Sequence, residues 1–214
     1  MRLMVAIPTH DYAHYEFTKS LMAMVRHLDA EGIDFDVNFL GGTLVYMGRE
    51  KLATEAIAKG YTHVLWLDAD MTFPEDLFDQ LYASGKPIIT GVYHSRHVPY
   101  SSCMFSSLNP PIHVERYPYD VFEIEGCGFG CILTEVKVLY DVYREFQQAF
   151  QPTPAYGEDL SFCDRARKVG YSIYCDPRIA CGHIGQLVIQ PDMHNRGKKD
   201  DGRDETGAGS VHDG

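Results

Sequence analysis

The stretch HVLWLDADMTFPEDL, residues 63–77, decides the reading of this chain. Its apolar run, Val64-Leu65-Trp66-Leu67, has the composition of a strand buried on both faces, and it ends abruptly at Asp68 and Asp70. In extended backbone, residues i and i+2 point to the same side, so the two carboxylates are expected to face one small volume just past the strand end. Two anions repel there unless a cation lies between them, and hard oxygen ligands suit Mg²⁺ or Mn²⁺.

Upstream, the pattern is that of repeated βα units. RLMVAIP (2–8) reads as a buried strand. HYEFTKSLMAMVRHLDAEG (14–32) reads as a helix with apolar residues at 17, 21, 24, 25 and 28 and a terminating glycine. IDFDVNFLGG (33–42) gives a second strand, REKLATEAIAKG (49–60) a second helix, and YTHVLWL (61–67) the third strand. Downstream, PEDLFDQLYASG (74–85) is expected to be helical with Pro74 at its first position, followed by a strand over KPIITGVYH (86–94). Four strands alternating with three helices predict an α/β domain with a mostly parallel sheet covered on both faces. After residue 94 the segments become short and turn-rich, as expected for a smaller antiparallel portion. Helices are then expected at 135–146 and 158–170, with a last strand at 171–176. The expected organisation is one domain over 1–195, made of halves 1–94 and 95–195, and a disordered polar tail over 196–214.

Bulk properties narrow the function classes. The 214 residues suffice for one full-sized core, and no apolar stretch approaches the roughly 20 residues of a membrane helix. The formal charge is −11; the tail holds four basic and five acidic side chains, so −10 resides on residues 1–195. Such a balance argues against stable binding to nucleic acid through its phosphates. The six cysteines form no C-x-x-C pair, and most lie in apolar or glycine-rich surroundings, as reduced thiols of a cytoplasmic protein do. A zinc site from Cys163, Cys175, Cys181 and His183 lacks the usual close pair.

Ligands of open α/β sheets bind beyond the carboxyl ends of strands, where Asp68 and Asp70 fall. DADMT fits the aspartyl-phosphatase pattern D-x-D-x-T, whose first Asp is a nucleophile and second a general acid. That pattern belongs on a first strand, however, whereas here two βα units precede it. A wider resemblance exists. VAIPTHDY (5–12), GREKLATEAIAKGYTHVLWLDADMTF (48–73) and YGEDLSFCDRARKVGYSIYCDPRIACGHIG (156–185) resemble, in order and spacing, the nucleotide loop, the Arg-bearing helix with its D-x-D strand, and the acidic helix start with a late metal-binding His of GT-A glycosyltransferases of the family-two kind.

This resemblance implies a Rossmann-like GT-A fold and a transfer of hexose from a nucleotide-sugar, UDP being the commonest donor, to a hydroxyl on a glycan, protein or modified base. It implies a Mn²⁺ or Mg²⁺ cofactor held by Asp70 and His183, with His194 as the substitute ligand and Asp68 near the ribose or a metal-bound water. Pro8, Thr9 and Tyr12 are implied in base recognition, because the second strand ends in FLGGTL and not in an acid. Arg49 is implied near the nucleotide or its phosphates, although Glu50 stands where the family often has Asn. Asp159 is the implied catalytic carboxylate, a general base if the transfer inverts the anomeric configuration, with inverting and retaining outcomes both open, and Glu158 an orienting group for the acceptor. GCGFGC (126–131) is expected where backbone approaches a sugar, and YHSRHVPYSSCMF (93–105) as an aromatic wall. The rivals are the phosphatase, a nucleotidyltransferase of similar fold, and a non-catalytic sugar-nucleotide-binding module.

Overall fold

The computed structural model describes residues 1–10 and 12–185, so His194 and the 196–214 tail lie outside it. The chain begins with β1 (Arg2–Pro8), α1 (Tyr15–Ala30), β2 (Asp34–Leu40), α2 (Val45–Ala58) and β3 (His63–Leu67). It continues through β4 (Met71–Thr72), α3 (Leu77–Tyr82) and β5 (Ile88–Val92). The later elements are β6 (Met104–Leu108), β7 (Pro111–His113), β8 (Phe122–Ile124), β9 (Gly126–Cys127), β10 (Cys131–Glu135), α4 (Val136–Phe146), α5 (Glu158–Lys168), β11 (Ile173–Ala180) and β12 (Gly182–His183).

The central sheet has the order β2-β1-β3-β10-β5-β11-β8. β1 pairs in parallel with both β2 and β3, and β5 with β11; β10 runs antiparallel between β3 and β5, and β8 antiparallel on β11. The expected mostly parallel sheet is therefore present. The antiparallel strand at its centre, however, comes from the glycine-spaced stretch and not from the first half. β6, β7 and β9 make a small separate antiparallel sheet, and β12 pairs with β4 as a two-stranded ribbon.

Local chemistry explains the boundaries. α1 starts where the Glu16 N–H donates to the His14 ring and buries Phe17, Leu21, Met24 and Leu28, the i, i+4, i+7 stripe its sequence predicts. α2 starts four residues before the expected Arg49, because Leu44 precedes it without any side-chain cap to mark the start. Pro74 is not a first helical residue: its carbonyl accepts from Leu77 N–H in a turn, and α3 begins only at Leu77.

Beneath the carboxyl ends of the strands lies an aromatic layer. Phe129 packs edge-on against Trp66, Phe150 and Phe162 at centroid separations of 5.9, 5.1 and 5.1 Å, and Phe150 stacks on Phe162 at 4.9 Å. All four side chains are fully buried, each contributing about 1.5–3 kcal/mol relative to exposure. Trp66 Nε1–H finds Thr134 Oγ1 at 3.0 Å, so the indole leaves no unpaired donor. This layer fixes the 126–131 segment and α5 against β3.

Candidate active site

Five segments meet above that layer: the end of β3, the residues after β5, the turn between β9 and β10, the start of α5, and β12. The glycines of GCGFGC make the close approach possible. A side chain at Gly128 would collide with the Tyr93 hydroxyl and come 3.7 Å from Asp159 Oδ2. Gly130 N–H donates to Tyr93 Oη at 3.0 Å, and Gly130 C=O accepts from Asp68 N–H at 3.1 Å. The backbone of that turn is thus tied to the acidic strand end on one side and to a buried tyrosine on the other.

The two acids of the D-x-D do not share one volume. Asp68–Asp70 leaves the strand in a turn, with Met71 N–H donating to Asp68 C=O, so the i, i+2 rule for extended chain no longer applies. Asp68 Oδ1 accepts from Arg49 Nη2 at 2.7 Å. Asp70 instead faces Arg96, with which it makes a close ion pair, and His183, whose Nε2 lies 3.5 Å from Asp70 Oδ2. The expected repulsion between the carboxylates is relieved by two separate guanidinium groups.

His183 reaches Asp70 because β12 lies antiparallel on β4. His183 is opposite Met71, Ile184 N–H donates to the Asp70 carbonyl at 2.8 Å, and Gly182 gives room to Thr72, whose hydroxyl a Cβ there would strike. His183 Nδ1–H donates to the His94 carbonyl at 3.0 Å. The Asp70 carboxylate and the Cys103 thiol, opposed by burial, push the ring up to about 10. Burial also pushes the Asp70 carboxyl up, but His183 and Arg96 outweigh it and hold Asp70 below the usual carboxylate range.

Arg49 is the most buried charged residue among those described, 2% exposed, with its guanidinium 5.1 Å over the Phe129 ring. Its Nη1 is 3.8 Å from Glu158 Oε1, and neither Nη1 nor Nε has a hydrogen-bond partner. Burial lowers its basicity, but Asp68, Glu158 and Asp159 more than offset that. Asp159 sits at the start of α5, Oδ1 accepting from Leu160 N–H at 2.7 Å. Burial raises its carboxyl above the ordinary value, Arg49 pulls it down, and Glu158 and Asp68 push it further up. A carboxylate so raised is a stronger proton acceptor than an ordinary one. The α5 start is in turn anchored from α2: Glu50 accepts from Ala149 and Phe150 N–H at 2.7–3.0 Å, and Arg165 donates to the Ala149 and Gln151 carbonyls at 2.9 and 2.7 Å.

The nucleotide-side residues lie at the end of β1. Pro8 closes the strand, and Thr9 N–H donates to Leu40 C=O while its Oγ1 donates to Tyr12 C=O at 3.0 Å. The Tyr12 ring is 85% exposed and projects from this loop. Tyr93, from the expected aromatic wall, is instead core at 3% exposure, whereas Tyr100 is 55% exposed. Arg96, Cys103 and Tyr93 belong to the site, although the sequence marks them only as part of the 93–105 wall and gives none of them a role of its own. They lie in an irregular segment where no period marks a facing residue.

Among the described residues, the corner where Asp70 meets His183 suits a divalent ion. Without its Nε2 proton, His183 presents a lone pair beside Asp70 while Nδ1–H stays fixed on a backbone carbonyl, the usual arrangement for a ligating imidazole. Among the described residues no group of three or more His, Cys, Asp or Glu is arranged to hold a metal, which also removes the Cys163, Cys175, Cys181, His183 zinc set. Two protein ligands are nevertheless sufficient for Mg²⁺ or Mn²⁺ when phosphate and water complete the shell. Asp70 and His183 meet that requirement; Asp68, engaged by Arg49, stands apart from them.

The α/β architecture is that of a GT-A fold. A197 from STIV superposes with a TM-score of 0.61 at 20% identity, over 86% of this chain and 86% of that one. GalNAc-T7, in a structure with UDP, GalNAc and Mn²⁺, superposes with a TM-score of 0.52 at 11% identity, over 87% of this chain and 44% of that one. The chain thus spans less than half the length of that transferase. No family model matches the chain, and no curated protein matches it in sequence. At these identities the likeness establishes the fold. No helix among the described residues is long and apolar enough to cross a membrane.

Proposed function

We propose that the protein is a metal-dependent glycosyltransferase that moves a hexose from a nucleotide-sugar, UDP-linked in the first instance, to an acceptor hydroxyl. The observation that carries this reading is the meeting of Asp70 and His183 at one corner of the strand ends with Asp159 at another, on a GT-A fold. Residues 1–94 hold the nucleotide in this scheme, with Pro8, Thr9 and the exposed Tyr12 ring at the base. Residues 95–185 supply His183 and the acceptor side.

Bound by Asp70 and His183, Mn²⁺ or Mg²⁺ supplies Lewis-acid stabilisation of the departing diphosphate. The acceptor oxygen attacks the anomeric carbon, the sugar-phosphate C–O bond breaks with its electron pair going to the nucleoside diphosphate, and Asp159 takes the hydroxyl proton. Glu158, beside it, orients the acceptor. Arg49 acts from beneath: it fixes Asp68 and opposes the raising effect of burial on Asp159. Arg96, which pairs with Asp70, would exchange that partner for the diphosphate when an ion is held there.

A thermal-shift panel of nucleotide-sugars with and without Mn²⁺ tests the assignment, since a ligand specific to the folded state raises the melting point. A rise with a UDP-sugar only when Mn²⁺ is present is expected. No shift with any nucleotide, together with turnover of a simple aryl phosphate, would establish the phosphatase instead. Mn²⁺-dependent binding without donor consumption would establish a binding module.

A further inference from the structure

All six cysteines are free thiols, and two of them are neighbours with no part in the proposed transfer. Cys131 opens β10 opposite Leu67 of β3, and Cys181 joins β11 to β12, two residues before His183. Their sulfur atoms are 3.1 Å apart, within about 1 Å of disulfide bonding distance. Each backbone is fixed next to β5: Cys131 C=O accepts from Thr90 Oγ1 at 2.8 Å, and Cys181 N–H donates to Val92 C=O at 2.8 Å. Cys131 is fully buried, while Cys181 retains solvent contact. The other close thiol arrangement differs on that point. Cys163 donates to the Cys127 carbonyl at 3.6 Å, and both side chains are fully buried, beyond the reach of an oxidant.

We propose that Cys131 and Cys181 are a redox-modification site, closing to a disulfide on exposure to a peroxide. Cys181, the accessible thiol, attacks hydrogen peroxide: the O–O bond breaks, Cys181 becomes a sulfenic acid and one water leaves. Cys131 Sγ then attacks the Cys181 sulfur, the S–O bond breaks, and the hydroxyl departs with the Cys131 proton as a second water. Two thiols are oxidised by two electrons and one peroxide is reduced to two waters. Contact with Cys181, together with burial, holds the Cys131 thiol well above its ordinary value, so Cys131 is the resolving thiol and not the first to react. The bridge ties the start of β10, next to the Gly130 carbonyl that holds Asp68, to the residue that leads into the ribbon carrying His183, stapling the two sides of the strand-end site. It also closes a long loop in the unfolded chain, which stabilises the fold.

The test is to treat the whole protein with stoichiometric hydrogen peroxide, alkylate it under denaturing conditions and map the peptides. The expected product has lost two hydrogens, carries alkyl groups on the four cysteines other than Cys131 and Cys181, and yields one crosslinked peptide joining that pair, reversed by dithiothreitol. The oxidised form should melt higher than the reduced form by about 5–10 °C. Cys181→Ala should remove both the crosslink and the shift. Six alkylatable cysteines after oxidation, a bridge to Cys103, or Cys181 driven to sulfinic acid beside a free Cys131 would each overturn the proposal. None of these readouts depends on glycosyl transfer.

Discussion

Arg49 Nη2 lies 2.7 Å from Asp68 Oδ1, with the arginine buried and the aspartate at the mouth of the strand ends. One guanidinium thereby holds together a region that also contains Glu158 and Asp159. Removing it leaves those carboxylates facing one another in a partly buried space. Arg49→Leu is expected to destabilise the fold by about 3 kcal/mol or more, the range for breaking a buried ion pair from one side. The readout is chemical denaturation, and a variant as stable as the parent would show that the three acids need no common counter-charge.

The catalytic assignment separates binding from chemistry. Asp159→Asn preserves shape and helix start but cannot accept a proton. Donor affinity is expected to stay within a few-fold while transfer falls by on the order of 10² or more. A fully active variant would remove Asp159 from the role of base.

Arg96 and a metal ion compete for the same carboxylate, since Asp70 is paired with the guanidinium when no ion is bound. The arginine side chain is nearly half exposed, so its pairing contributes about 1 kcal/mol at most. Arg96→Ala should therefore tighten Mn²⁺ binding in the absence of nucleotide by up to about fivefold. Titration of free Mn²⁺ by electron paramagnetic resonance reads this directly, and weaker binding by the variant would show Arg96 to be no competitor.

Much of this arrangement is legible in the sequence, and the limits have physical causes. β1 occupies the 2–8 run read from its unbroken apolar character, and α1 buries the stripe its period marked. The central place of β10 was not legible, because pairing between residues far apart in sequence leaves no local period. The sharing of one volume by Asp68 and Asp70 failed because the alternation of a strand ends where the strand does, at Leu67. Glu50 anchors the backbone at Ala149 and Phe150, a partnership that sequence spacing gives no hint of. His183 was placed beside Asp70 from resemblance alone, and the β4 and β12 ribbon is the physical reason they meet.

Away from the site, His27 of α1 pairs with Asp79 of α3, which raises the imidazole above its ordinary 6.5 against the opposing effect of burial. A group whose folded value is raised adds stability that is complete below the unfolded value and is lost as pH climbs through the folded one. The melting temperature is thus expected to fall as pH rises from about 6 to about 8, and to fall less in His27→Gln. Parallel pH profiles for the two proteins would show the pair to be without energetic weight.

The central claim is that Asp70 and His183 hold a divalent ion against a nucleoside diphosphate. Isothermal titration of UDP into the protein with and without Mn²⁺, repeated with Asp70→Ala, tests it most directly. The account predicts binding by the parent only when Mn²⁺ is present and none by the variant, whose far-ultraviolet spectrum stays that of the parent. Equal UDP affinity in parent and variant, or binding indifferent to Mn²⁺, would contradict it.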